Sequence, residues 1–115
     1  MARNSKSKDG LAFSANQAVE TLGRNIQVAR KRRGWTLEEM AGSMFVTRKT
    51  LSRLEAGDPS VGLSVLVAAL HVLGMESDLQ MVAAPGNDTV GVFSERQRLP
   101  QRVRKKQPDK DEMDF

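Results

Sequence analysis

The sequence predicts an all-α fold, on three observations. Thr36 and Thr47 each stand where a helix N-cap is expected, the first with Glu39 three residues on to complete a capping box. Apolar residues recur at three- and four-residue spacing behind both caps. A further apolar run, from Val61 to Leu73, has the length of a helix and lies between helix stops at Gly57 and Gly74.

Taken in order, residues 1–14 are polar, basic and contain Gly and Ser, the composition of a disordered arm. A first helix is expected over roughly residues 15–33, with Val19, Leu22, Ile26 and Ala29 on its inner face and Gly34 as its stop. The second starts at Thr36 and gathers Leu37, Met40, Ala41 and Met44 on one face. After a tight turn Thr47 caps the third, where Leu51 and Leu54 share one side and Arg48, Lys49, Ser52 and Arg53 the other. Gly57 and then Asp58-Pro59 end it, because a residue before proline is pushed out of the helical region. The fourth helix, apolar on nearly all sides, is more than so small a domain covers, so part of it is expected to face a second subunit. His71 in that run, the only histidine, reads as a packed or interface residue.

Beyond Gly74, Leu79, Met81 and Ala83 alternate with Gln80 and Val82 up to Pro85-Gly86. Period-two alternation between breakers predicts a strand over residues 77–85, and a lone strand needs a partner, most economically its own copy across a twofold axis; the other reading is an extended loop. Residues 86–115 lack a sustained period and are expected to be a flexible charged tail. Arg96, Arg98, Arg102, Arg104, Lys105 and Lys106 form a basic stripe there, suited to a minor groove, to phosphates or to an acidic partner. The expected organisation is thus an arm to residue 14, a domain over 15–76, a dimerisation strand over 77–85 and a tail.

Two short helices joined by a tight turn, with cations opening the second, are the arrangement that places a helix in the major groove of DNA. On that reading Arg48, Lys49 and Arg53 face base edges, where their donors suit the guanine O6 and N7 acceptors. Thr47 and Thr50 face phosphate or a thymine methyl, and Thr36 and Ser52 complete the expected DNA-contacting set. Charge agrees: residues 1–35 hold eight Lys/Arg against two Asp/Glu, residues 36–95 three against eight, and residues 96–115 seven against four. A polyanion is drawn to the two ends and to the few cations of the third helix. Trp35 reads as a core or staple residue rather than a base-stacking one.

From about Leu22 to Leu73 the chain resembles the lambda-repressor-like (XRE) helix-turn-helix family, whose domain is a bundle of five short helices. The resemblance rests on Arg30, Gly34-Trp35-Thr36, Met40-Ala41, Val46-Thr47-Arg48, Thr50-Leu51-Ser52-Arg53-Leu54-Glu55 and Gly57. It implies that Arg30 and Glu55 form a structural ion pair joining the first and third helices. Asp58-Pro59-Ser60-Val61-Gly62-Leu63 and the Arg98-Leu99-Pro100-Gln101-Arg102-Val103-Arg104 tail are most similar to HipB-like antitoxins. That narrower resemblance implies a homodimer joined by an intermolecular strand ribbon, a palindromic double-stranded operator, repression of its own operon and a HipA-type kinase toxin as partner. Two positions depart from the family. Phe45 stands where the turn usually has glycine, so either the turn is remodelled or ring packing offsets the strain. Leu37 stands where many relatives carry a phosphate-binding glutamine, so that contact is expected to be missing.

Inventory argues against an enzyme. The chain of 115 residues has no cysteine, one histidine and no glycine-rich phosphate loop or nucleophile motif, so no catalytic residue, metal or cofactor is expected. Adjacent Glu38 and Glu39 do not share a helix face as a carboxylate pair would. Lacking a membrane-length apolar segment and an apolar run behind its first cations, the chain is expected to be cytoplasmic and unattached to membrane. The other readings are a stand-alone XRE regulator without a toxin and a module that sequesters a protein partner.

Overall fold

The computed structural model describes residues 10–98. Five α-helices run along them: α1 Phe13–Arg32, α2 Leu37–Met44, α3 Arg48–Glu55, α4 Leu63–Leu73 and α5 Thr89–Arg98. The first four pack as one compact unit, and the chain divides into its second unit between Leu79 and Gln80. The predicted five-helix bundle is therefore a bundle of four α-helices followed by a 3₁₀ turn, with the fifth α-helix in the other unit.

The core follows from the apolar spacing. Ile26 of α1, Met40, Ala41 and Met44 of α2, Leu51 and Leu54 of α3, and Ala69 and Leu73 of α4 form one buried cluster, with Leu22, Ala29, Trp35 and Leu37 packed against it. Both predicted caps close their helices. The Thr36 hydroxyl accepts from the Glu39 amide at 3.1 Å while the Glu39 carboxylate accepts from the Thr36 amide at 2.8 Å, and the Thr47 hydroxyl accepts from the Thr50 amide at 3.1 Å.

Gly23, inside α1, touches the end of α3 so closely that a Cβ there would lie 2.5 Å from the Leu54 carbonyl oxygen and 2.7 Å from that of Glu55. This lets two backbones meet, and it fixes where α3 sits against α1. Arg33 ties the other end of α1 to α4, its guanidinium donating to the carbonyl of Leu73 at 3.0 Å.

Four helices end in the same pair of backbone bonds, in which a residue one or two positions past the helix takes a left-handed conformation and the next amide reaches back five residues. After α1, α3 and α4 that residue is Gly34, Gly57 or Gly74, with φ of 72°, 79° and 77°. After α2 it is Phe45, with φ 60° and ψ 39°, and the Val46 amide donates to the Ala41 carbonyl at 3.1 Å. The turn is not remodelled. Nor does packing offset the strain, because the phenyl ring is 95% exposed. A side chain in this region costs roughly 1 kcal/mol or more relative to glycine.

Two expectations fail beyond Gly74. Leu79, Met81 and Ala83 do not form a strand; Glu76–Met81 is a 3₁₀ helix, and no strand occurs among the described residues. With no extended neighbour, the segment satisfies its backbone locally, as in the Asp78 amide donating to the Met75 carbonyl at 3.0 Å. Residues 89–98, expected to be flexible, form α5, whose entry is capped by Asp88 accepting from the Gly91 amide at 2.9 Å. His71, read as packed or at an interface, is exposed in the single chain, its Nδ1 3.0 Å from the Glu76 carboxylate, which that bond holds below the usual carboxylate range. Of the tail's stripe only Arg96 and Arg98 fall within the described residues; Arg102, Arg104, Lys105 and Lys106 lie outside them, as does the arm up to residue 9.

Candidate nucleic-acid interface

The short turn after α2 and the Thr47 cap hold α3 so that Leu51 and Leu54 enter the core. The opposite side is thereby left open, and Thr47, Arg48, Lys49, Ser52, Arg53 and Ala56 line one shallow concavity along it. Six of the residues read as DNA-contacting are thus placed as follows. Thr47, Arg48, Lys49, Ser52 and Arg53 share that surface, and Thr50, beside it, has its hydroxyl 2.9 Å from that of Thr47. The seventh, Thr36, sits at the start of α2, where its hydroxyl is used as the cap.

Arg48 and Lys49 are exposed at the opening of α3. Arg48 lies 3.5 Å from the carboxylate of Glu38, on the first turn of α2, both side chains about two-thirds exposed. Arg53 is held differently. Its Nε donates to Asp58 at 3.0 Å and its terminal nitrogen to the Ser60 hydroxyl at 2.8 Å, so its guanidinium is anchored to the turn that follows α3. Asp58 in turn accepts from the Ser60 amide at 2.9 Å and the Ser60 hydroxyl at 2.7 Å. Glu38, Asp58 and Ser60 were missed from sequence, although an Asp-Pro-Ser string is a known maker of such side-chain turns.

These bonds lower the Asp58 carboxyl from 3.8 to about 2, the Ser60 hydroxyl and amide contributing most and Arg53 adding its hydrogen bond and charge. Since the folded value lies below the unfolded one of about 3.9, the stability this carboxylate supplies is complete above pH about 4 and is lost as pH falls towards 2. Acid titrations followed by circular dichroism are expected to show wild type losing its advantage over Asp58→Asn across that window. Parallel curves would refute it.

Arg30 and Glu55 form a buried pair behind this surface. Arg30 Nε donates to Glu55 at 2.7 Å, a terminal nitrogen donates to the second carboxylate oxygen at 3.1 Å, and the other donates to the Trp35 carbonyl at 2.8 Å. The bonds to Glu55 and its charge raise the guanidinium's pKa against the opposing effect of burial. The pair fixes α1 and the entry to α2 on the end of α3. Leu37 packs against the core, and Trp35 does the same with Arg33 5.8 Å over its ring.

No described helix is long and apolar enough to cross a membrane, and no cluster of metal-ligating side chains occurs among the described residues. Comparison with curated proteins and with solved structures finds no match in either. A family model described as helix-turn-helix domain matches residues 21–81, from within α1 through the four-helix unit to the end of the 3₁₀ turn. That match spans more than half of the sequence and includes both capped helices and the turn between them, so the chain belongs to the helix-turn-helix domain family.

Proposed function

We propose that the protein is a sequence-specific DNA-binding repressor, a non-enzyme that sits as a homodimer on a palindromic operator in the bacterial cytoplasm. The observation that carries this reading is the exposed Arg48 and Lys49 at the start of a capped second helix, backed by the buried Arg30–Glu55 pair that ties that helix to α1. In a helix-turn-helix the first residues of that helix meet base edges. Support for the homodimer comes from α4, where Leu63 is 70% exposed and Val67 39% exposed in the single chain. In finer terms, the protein is an antitoxin that represses its own operon and binds a HipA-type kinase toxin; the similarity of residues 58–63 and 98–104 to HipB-like antitoxins supports this.

The test is titration against a duplex enriched from a random pool by the wild-type chain. Arg48→Ala and Lys49→Ala are each expected to lose about 1–3 kcal/mol of binding and to relax preference at one base position per half-site. Thermal unfolding of both variants should match wild type. Unchanged affinity and discrimination, or failure of the wild-type chain to enrich any sequence, would refute the reading.

A further inference from the structure

We infer that Phe45 is a base-reading residue whose phenyl ring seats on a thymine methyl group at the edge of the site read by α3. The inference rests on the DNA-binding reading above. It starts from a contrast inside the molecule. Three of the four equivalent helix ends place glycine in the left-handed position, whereas the end that opens the path to α3 places a phenylalanine there. Its ring gains nothing from the fold, being 95% exposed. A strained backbone under a solvated aromatic side chain is a cost without a return in the free protein, and such outliers point to a function outside the fold.

The position names the partner. Phe45 lies three residues before Arg48, so the two Cα atoms are at most about 11 Å apart. Both side chains are exposed, and Lys49 is exposed beside them. A polyanion engaged by these two cations lies within reach of the ring. One residue, Val46, separates Phe45 from Thr47, the cap of the helix proposed to read bases in the major groove. On the edges of bases in that groove the apolar feature is the C5 methyl of thymine, which phenylalanine contacts favourably.

The experiment compares wild type, Phe45→Gly and Phe45→Leu. Each is melted without DNA and titrated against the wild-type-enriched duplex, made once with thymine and once with deoxyuridine, which lacks only the methyl group. Phe45→Gly is expected to melt at a higher temperature than wild type and yet to bind the thymine duplex roughly fourfold or more weakly, the scale of one buried methyl group. Wild type should lose a similar factor on the deoxyuridine duplex. Phe45→Gly should not distinguish the two duplexes, and Phe45→Leu should retain part of the preference.

Equal affinity of wild type and Phe45→Gly would overturn the inference and leave the assignment of Arg48 and Lys49 standing. Indifference of wild type to the methyl group would overturn it as well. So would a Phe45→Gly chain that keeps its DNA affinity but loses self-association, since the ring would then face protein. If the wild-type chain enriches no sequence, the DNA-binding reading fails first and this one falls with it.

Discussion

Replacing Glu55 with alanine is expected to lower the melting temperature by roughly 15 °C or more, the equivalent of about 3–5 kcal/mol in a domain this small. The reason is what remains. Arg30 is 6% exposed, and two of its donors are spent on Glu55 while a third holds the Trp35 carbonyl. Without the carboxylate, a guanidinium with no means of losing its proton is left buried and unpaired. The double substitution Arg30→Met with Glu55→Leu should regain much of the loss, because a buried pair repays little beyond its own desolvation. Calorimetry on the two single variants and the double separates these quantities. A Glu55→Ala protein melting within a few degrees of wild type would mean that water reaches the site.

The second large effect is expected at Gly23, where alanine should cost about 3 kcal/mol by overpacking. Its Cβ would press on the carbonyl oxygens of Leu54 and Glu55 and on the Gly57 amide, backbone atoms that no rotamer change moves aside. A control exists in the next helix. Gly42, in α2, has open space where its Cβ would stand, so Gly42→Ala should be neutral or stabilise by up to about 1 kcal/mol. Chemical denaturation of both variants decides the matter: equal effects would show that Gly23 is a matter of helix propensity rather than contact.

Gly23 also marks the limit of what could be read from residues in a row. The caps at Thr36 and Thr47, the apolar faces of α1 to α3 and the stops at Gly34, Gly57 and Gly74 are local signals, each contained within a few neighbours, and they were legible. The Arg30–Glu55 contact joins residues 25 apart in sequence, and only the family resemblance suggested it. Gly23 lies more than 30 residues from its contacts, and a lone glycine in a helical pattern tells only that some packing reason exists. The strand over Leu79, Met81 and Ala83 failed because alternation over six residues does not supply the extended neighbour a strand requires. The helix α5 was missed because Thr89, Val90, Gly91 and Val92 are weak helix formers, and the signal that could have found it was Asp88 as an N-cap. In the candidate site the cations of α3 were visible, but Arg53's anchoring by Asp58 and Ser60 required three dimensions.

The Glu38 carboxylate beside Arg48 bears on how such a protein would find one site in a genome. An exposed ion pair contributes little to stability, but it already gives Arg48 the partner that any stretch of phosphate backbone would offer. Landing on random DNA would exchange one anion for another with small net gain, and the negative charge of Glu38 would repel any phosphate brought close to it. A guanine edge, which accepts two hydrogen bonds, returns more than the carboxylate gives up. On the proposed DNA-binding function, a carboxylate so placed would shorten the protein's stay on the many competing sequences, so that occupancy of the correct one would follow the ratio of the two affinities rather than raw attraction to a polyanion.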